Sequence, residues 1–250
     1  MITFSYIFQI HNREDTVQEL LAPFIEAQNN GYPSQLIVCS DGSTDKTNEK
    51  ILQVMTAVKY AERNTVMIMF DVFEVPLTWR AIQIAEGEFI VLIQDDDYYS
   101  SMEFADKALA IFRQYPHLAA LSPKHGLMLD ENMNIRTIYG EYVSSDLPIS
   151  PPAYDEHGVH FVHIIDRAPM FIRRTHYDLI GGMDLDLKRA VYNDWDMCLS
   201  WAKKGLLVGI YHVDSYQFRR WHAGSILPGA VTHIYAQENR QKVYRKHYGR

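Results

Sequence analysis

Four short apolar runs, each followed by a polar cluster and then by a segment with apolar residues at helical spacing, constrain this chain more than any other feature. "ITFSYIFQI" is rich in aromatic and β-branched residues and predicts a strand that ends at "HNRED". From Thr16, the residues Val17, Leu20, Leu21, Phe24 and Ile25 recur at helical spacing until the stop signal "NNGYP". "SQLIVCS" predicts a second strand, which runs into the turn "DGSTD" and a helix from about Lys46 to Ala61 with Ile51, Val54, Met55 and Val58 on one face. "NTVMIMFDV" reads as a third strand, "LTWRAIQIAEG" as a short helix closed by Gly87, "EFIVLIQ" as a fourth strand, and "SMEFADKALAIFRQYP" as a helix up to its proline. Further on, strand-like pieces lie around "AALSPKHG", "PMFIRR" and "LLVGIYHV", with "WDMCLSWAKKG" helical. The alternation predicts an α/β fold with a mostly parallel central sheet flanked by helices. No linker, repeat or low-complexity run divides the chain, and "SSDLPISPPAYDEHG" reads as a long surface loop suited to a lid.

In an open parallel sheet, ligands bind outside the C-terminal ends of the strands. "HNRED", "DGSTD" and "DDDYY" follow the first, second and fourth strands, so all three clusters are expected along one edge. The last is the most demanding, because Asp95, Asp96 and Asp97 stand in a row directly after an apolar run. Like charges held together disfavour ionisation. Two arrangements relieve this. A hard divalent cation would take oxygen ligands from one or two carboxylates and from substrate phosphates. Alternatively, a solvated turn would use the aspartates to cap the helix starting near Ser100.

The chain has 250 residues with 47% hydrophobic and 22% charged content, which suits one globular domain. Its formal charge of −7 argues against a nucleic-acid binder that relies on a broad basic surface. The stretch "RQKVYRKHYGR" is locally basic, and reads either as a solvated terminal helix or tail or as a peripheral contact for anionic lipid or acceptor. Cys39 and Cys198 form no C-x-x-C pair, so neither a disulfide framework nor a cysteine zinc site is expected. "MITFSYIFQIHNRED" lacks a basic leader and a cleavage site, and no run of about 18 apolar residues occurs, so a cytoplasmic chain without a transmembrane segment is expected.

Five segments in order, "HNRED", "VCSDGSTDKT", "AEGEFIVLIQDDD", "IGGMD" and "NDWDMCLSWAKKG", resemble glycosyltransferase family 2, the inverting enzymes of the GT-A fold that use sugar nucleotides. The resemblance spans residues 2 to about 225. It implies a single Rossmann-like GT-A domain over 1–250, with a nucleotide-binding half over about 1–100, an acceptor-binding half over about 101–225, and a C-terminal helix or basic tail over 226–250. It also implies transfer of a sugar from a nucleotide-sugar donor, a UDP-sugar favoured, to a hydroxyl of a glycan, lipid-linked or small-molecule acceptor.

On that pattern Gln9, His11, Asn12, Asp41 and Asp95 would contact the nucleotide, with Asp41 accepting from the base and Asp95 touching the ribose or sharing the ion. Asp96 would bind Mn²⁺ or Mg²⁺, offsetting the charge that grows on the leaving diphosphate, and Asp97 would support it. Inversion needs a general base opposite the leaving group; "NDWD" offers Asp194, with Asp196 the alternative and Trp195 placed to stack on acceptor or sugar. Gln217, Arg220 and Trp221 spell the Q-x-x-R-W pattern of processive members and would form an acceptor or diphosphate loop. His222 resembles a late metal-binding histidine. Three departures stand out: Gln94, Ser40 and Asn193 each replace a usual acidic residue.

Other features carry less. His157, His160 and His163 fan out on a helix or alternate on a strand, so a zinc site is not expected. Arg80, Arg173 and Arg174 are candidates for the diphosphate, with surface roles as the alternative. A sugar-1-phosphate nucleotidyltransferase would carry a glycine-rich loop after strand one, where "FQIHNRED" has no glycine. A nucleotide-sugar or carbohydrate-binding module with weakened chemistry is the non-enzyme alternative that the three departures keep in view.

Overall fold

The computed structural model of this chain describes residues 2–70, 72–140, 149–167, 169–187, 191–218 and 229–249. Strand β1 (Phe4–Ile10) is buried along its whole length, as its unbroken aromatic and aliphatic run requires. Helix α1 (Val17–Asn29) buries Val17, Leu20, Leu21, Phe24 and Ile25, the stripe its spacing predicts. Strand β2 (Ser34–Asp41) is likewise buried throughout. Helix α2 (Thr47–Met55) stops short of its predicted end at Ala61, because Asn29 captures the backbone beyond it, donating to the Ala57 carbonyl at 3.1 Å and accepting from the Lys59 N–H at 2.7 Å.

Strand β3 (Thr65–Met69) also ends early: the N–H groups of Val72 and Phe73 donate to the Asp41 carboxylate and not to a ladder. Helix α3 (Glu74–Ile84) therefore starts three residues before "LTWRAIQIAEG", with Pro76 in its first turn where the missing N–H costs nothing. Gly87 does not act as its cap. A Cβ there would lie 2.5 Å from the Ser5 nitrogen and 2.7 Å from the Phe4 carbonyl carbon, so the glycine lets β1 pass close by.

Strands β4 (Phe89–Gln94) and β5 (Asp97–Tyr99), helix α4 (Glu103–Gln114) and strands β6 (Leu118–Ser122), β7 (His125–Leu129) and β8 (Ile135–Gly140) follow. Next come β9 (Ile149–Ser150), β10 (Val159–Val162), β11 (Ile164–Ile165), β12 (Met170–Arg173), helix α5 (Arg174–Leu179), helix α6 (Asn193–Lys203), β13 (Leu207–Tyr211), β14 (Tyr216–Phe218) and helix α7 (Gly229–Tyr248).

The main sheet has eight strands in the order β10-β13-β6-β12-β4-β1-β2-β3, all parallel except β12 and β10. Strands from both halves of the sequence share it. A four-stranded sheet, β11-β7-β8-β9, packs beside it, and β5 pairs antiparallel with β14. Part of the expected lid is thereby pinned, since Ile149 and Ser150 pair with β8; residues 144–148 of it lie outside the described residues.

One face of the main sheet packs on α1 and α4 through an aromatic cluster in which Phe24 lies 4.9 Å from Tyr6 and 4.8 Å from Phe8, ring centre to ring centre. The other face packs on α3, α6 and the second sheet around the fully buried Trp201, whose Nε1–H donates to the His176 carbonyl at 2.9 Å. Arg173 and Arg174 are committed to this framework and do not face a diphosphate: Arg173 donates to the Phe112 carbonyl at 2.7 Å, and Arg174 to the Gly87 and Ala85 carbonyls at 2.8 and 2.6 Å. Among the described residues no helix is long and apolar enough to cross a membrane.

Gly87→Ala is expected to cost about 1–3 kcal/mol, because the colliding atoms are backbone of a central strand and cannot rotate away. Urea unfolding of the variant measures this; an unchanged midpoint would remove the close approach as the reason for glycine.

Candidate active site

Strand β1 lies between β2 and β4, so the chain leaves it in one direction and returns on the other side. Such a reversal opens a crevice at the C-terminal strand ends. The loops after β1, β2 and β4 meet there, as their order in the sequence predicts. The His11 N–H donates to Asp95 Oδ2 at 3.0 Å, and Arg13 Nη2 reaches Asp95 Oδ1 at 3.3 Å. His11 Nδ1 lies 2.7 Å from the Asp41 carbonyl, the Asn12 N–H donates to Ser43 Oγ at 3.1 Å, and the Thr44 N–H returns a bond to Asn12 Oδ1 at 2.8 Å. Asn12 takes a left-handed backbone (φ 51°), which its short side chain tolerates. Asp45 caps α2, accepting from the Thr47 N–H at 2.9 Å.

The three aspartates occupy different environments. Asp97 is fully buried: it accepts from the Gln94 N–H at 3.0 Å and from the Tyr216 hydroxyl at 2.9 Å, which ties β14 to the turn. Burial pushes its carboxyl up to about 7. Asp95 is pushed up to about 6 by burial, opposed by the Arg13 guanidinium. Asp96 is raised by burial against the pull of Lys124, and among the described residues its buried Oδ1 has no hydrogen-bond partner. A buried carboxylate oxygen without a donor is a costly arrangement that a ligand relieves. Among the described residues no group of three or more His, Cys, Asp or Glu side chains could hold a metal by itself. Asp96 could contribute one carboxylate to a hard cation that completes its shell from substrate and water.

Asp41 accepts from the Val72 N–H at 2.8 Å and the Phe73 N–H at 2.9 Å, fixing the approach to α3, where Phe73 has a left-handed backbone (φ 67°). Each of its oxygens retains a second lone pair. Gln9 is buried and donates to Thr78. Thr78 belongs to α3, so Gln9 ties that helix to the end of β1.

A second polar layer connects α3, the end of β4 and the start of α6. Gln94 Nε2 donates to Glu74 Oε1 at 2.8 Å, and Glu74 is also ion-paired with Arg167. An aspartate at position 94 would set two carboxylates against each other; the amide supplies a donor. Arg167 donates through Nη1 to Thr78 Oγ1 at 3.2 Å, and its backbone N–H donates to Asp194 Oδ2 at 3.1 Å. Asp194 lies in the first turn of α6, where the helix dipole favours a carboxylate. Burial raises its proton affinity most and the nearby charge of Asp166 adds to it, while Arg167 opposes both. Asp166 is held through Oδ2 by the buried His125 Nε2 at 2.7 Å, and among the described residues its buried Oδ1 has no partner.

Asp196 points elsewhere. Its oxygens meet Lys246 Nζ at 2.8 Å and His247 Nε2 at 2.7 Å on α7. Trp195 packs edge-on against Tyr192 at 5.1 Å and is half-buried. Val191 and Tyr192, immediately before α6, both have left-handed backbones (φ 64° and 68°), strain of the kind that accumulates at functional sites. Asn193 is buried beside Asp194. His160 and His163 bond through Nδ1 to the Ala153 carbonyl and the Leu129 N–H, so they hold a loop and β7 in place. Gln217 pairs opposite Tyr98 in the β5–β14 ribbon. Arg220, Trp221 and His222 lie outside the described residues.

Sequence patterning singled out none of Glu74, His125, Asp166 or Arg167. The signal that carries the last two is the one seen at the other rims, an apolar run, "FVHII", ending in a charged pair.

Asp166→Asn is expected to lower the pH at which Asp194 ionises: removing a negative neighbour removes one of the causes that favour the protonated form. Carboxyl ¹³C NMR titration of the two proteins reads this directly. An unchanged or higher Asp194 titration would show that Asp166 does not act on it.

No protein-family model matches the chain, and a comparison with curated proteins gives no match. Similarity appears in the fold. The crystal structure of S. aureus TarS 1–349 in complex with UDP-GlcNAc superposes with a TM-score of 0.62 at 15% identity, covering 97% of this chain and 65% of that one. The same TarS segment in complex with UDP gives 0.58 at 14% identity, covering 97% and 72%. A further TarS structure gives 0.61 at 15%, covering 98% of this chain and 38% of that one. The chain thus spans between 38% and 72% of the length of these three structures. Its mostly parallel sheet, flanking helices and strand-end crevice form a fold of the GT-A type found among glycosyltransferases.

Proposed function

We propose that the chain is an inverting glycosyltransferase, related to family 2, that moves one sugar from a nucleotide donor to a hydroxyl of a glycan or glycoconjugate. The observation that carries this reading is two unlike carboxylates linked through the Glu74–Arg167 pair: Asp96, which feels Glu74 and has a buried oxygen with no donor among the described residues, and Asp194, which accepts from the Arg167 N–H at a helix start and has raised proton affinity. The fold is shared with a protein crystallised with UDP-GlcNAc and with UDP, which favours a UDP-sugar donor.

In this reading His11, Asn12 and Asp41 line the nucleoside side of the crevice, Asp41 accepting from the imide N–H of the base through its remaining lone pairs. Asp95, steadied by the His11 N–H and Arg13, faces the ribose and shares the metal. Asp96 is the carboxylate ligand for Mn²⁺ or Mg²⁺, which when bound supplies positive charge to the departing diphosphate. Asp194 takes the proton from the acceptor hydroxyl as that oxygen attacks the anomeric carbon. A carboxylate whose proton affinity is raised toward neutrality is a more effective base than an exposed one. Asp196 does not compete for the role, because α7 holds both of its oxygens. Arg220 and Trp221, beside diphosphate or acceptor, and His222, as a further ligand, complete the reading; they follow β14, whose Phe218 pairs opposite Asp97.

The decisive experiment measures nucleoside diphosphate release from UDP-, GDP- and dTDP-sugars with Mn²⁺ or Mg²⁺ and a broad acceptor pool; no release from any donor would count against the enzyme. Asp96→Ala is expected to lose the divalent-dependent part of UDP binding by calorimetry. Retained binding would take Asp96 out of the metal site. Asp194→Asn should keep donor affinity while transfer falls by about 10²–10⁴-fold, the range for loss of a general base. Full transfer in that variant would place the base elsewhere.

A further inference from the structure

Helix α7 carries a second candidate site on its outer side. Most of its described cations are engaged: Lys242 Nζ donates to the Asp186 carbonyl at 2.6 Å, Lys246 bridges Asp184 and Asp196 at 2.9 and 2.8 Å, and His247 meets Asp196 at 2.7 Å. Arg240 and Arg245 differ. Both are exposed, neither is ion-paired among the described residues, and their only bonds are to Asn134 Oδ1 at 3.2 Å and to the Gln241 carbonyl of the same helix at 3.3 Å. They line a cavity of about 450 Å³ with Tyr244, Gln241 and Asn132. The nearby carboxylate Asp130 is occupied by the N–H groups of Asn132 and Asn134 and by the Asn134 amide.

The cavity lies near the start of α6. Tyr244 packs against the same small apolar cluster, Met133, Leu187 and Val243, as Tyr192 and Trp195, which flank Asp194 in the sequence. Burial raises the Tyr192 hydroxyl; the charge of Arg240 opposes this and those of Asp194 and Asp166 add to it, so Tyr192 is within electrostatic reach of both the cavity and the base.

We propose that this cavity is an acceptor subsite for an anionic saccharide, one that carries a phosphate ester or a carboxylate near the hydroxyl to be glycosylated. The proposal rests on the glycosyl-transfer reading and names the acceptor class. Two guanidinium groups flanking a tyrosine match such a ligand: each fork accepts a phosphate or carboxylate in bidentate fashion, and the ring face accepts a sugar. An anionic membrane is a poorer match. The lysines that would make α7 a broad basic face are already engaged, Lys242 with the Asp186 carbonyl and Lys246 with Asp184 and Asp196.

Calorimetry on the UDP-saturated full chain tests this with maltotriose, maltotriose bearing a phosphate ester, and tri-galacturonate, beside vesicles containing phosphatidylserine. At least one anionic trisaccharide is expected to bind about tenfold or more tighter than maltotriose, the scale of one charge-assisted hydrogen bond. The preference should shrink with added salt and vanish in Arg240→Ala/Arg245→Ala, while UDP affinity stays unchanged. The phosphate and uronate arms tell which anion is taken. Equal binding of neutral and anionic sugars, no saccharide binding, an anionic preference that survives the double variant, or Arg-dependent binding to vesicles alone would each overturn the proposal. Failure of UDP to bind is a separate result that strikes the glycosyl-transfer reading and leaves the saccharide arms readable.

Discussion

The reversal of strand order at β1 is the constraint on which the site depends. With β2 on one side and β4 on the other, the loops that follow these strands have no sheet between them and must satisfy their polar groups against one another. The bond from the His11 N–H to Asp95 crosses that gap, and Arg13 adds a charge to the same carboxylate. Removing water from these groups raises the carboxyls of Asp95 and Asp97, because burial disfavours their charged forms. The run of three aspartates is divided by burial: Asp97 builds the turn, Asp95 closes the gap, and Asp96 is left with an oxygen facing no donor among the described residues.

Arg167 unites the two halves of the chain in a comparable way. Its backbone holds Asp194, its guanidinium holds Glu74 and Thr78, and Glu74 in turn receives the amide of Gln94. The end of β4 and the start of α6 are thus joined by one buried cation. Gln94 is accounted for by this arrangement, since a carboxylate at that position would compete with Glu74 for the same guanidinium and repel it.

Much of the sheet was legible because its strands are buried on both faces and read as continuous apolar runs; β1 and β4 fall within the segments predicted for them, and β2 runs one residue past its own, to Asp41. The stripe on α1 was legible for the same reason, a periodic pattern facing one core. The ends of α2 and β3 were not, because they are set by side chains distant in sequence, Asn29 and Asp41, that take the backbone away from its local partners. The second sheet was hidden by strands as short as Ile164–Ile165 and Ile149–Ser150, too brief to show any period. The strand-end aspartates could be placed at a rim from order alone. Their division of labour, and the part played by His125 and Asp166, depend on burial and pairing across the chain, which no local pattern encodes.

Asp194 and Asp196 sit two residues apart and therefore project about 200° from each other around α6, at 3.6 residues per turn. One meets the Arg167 N–H and the other meets Lys246 and His247 on α7. Together they work as the two teeth of a key: a rotation of the helix that eased one carboxylate out of its seat would drag the other from its own. The angular setting of α6, and with it the direction in which Asp194 faces, is fixed from opposite sides at once.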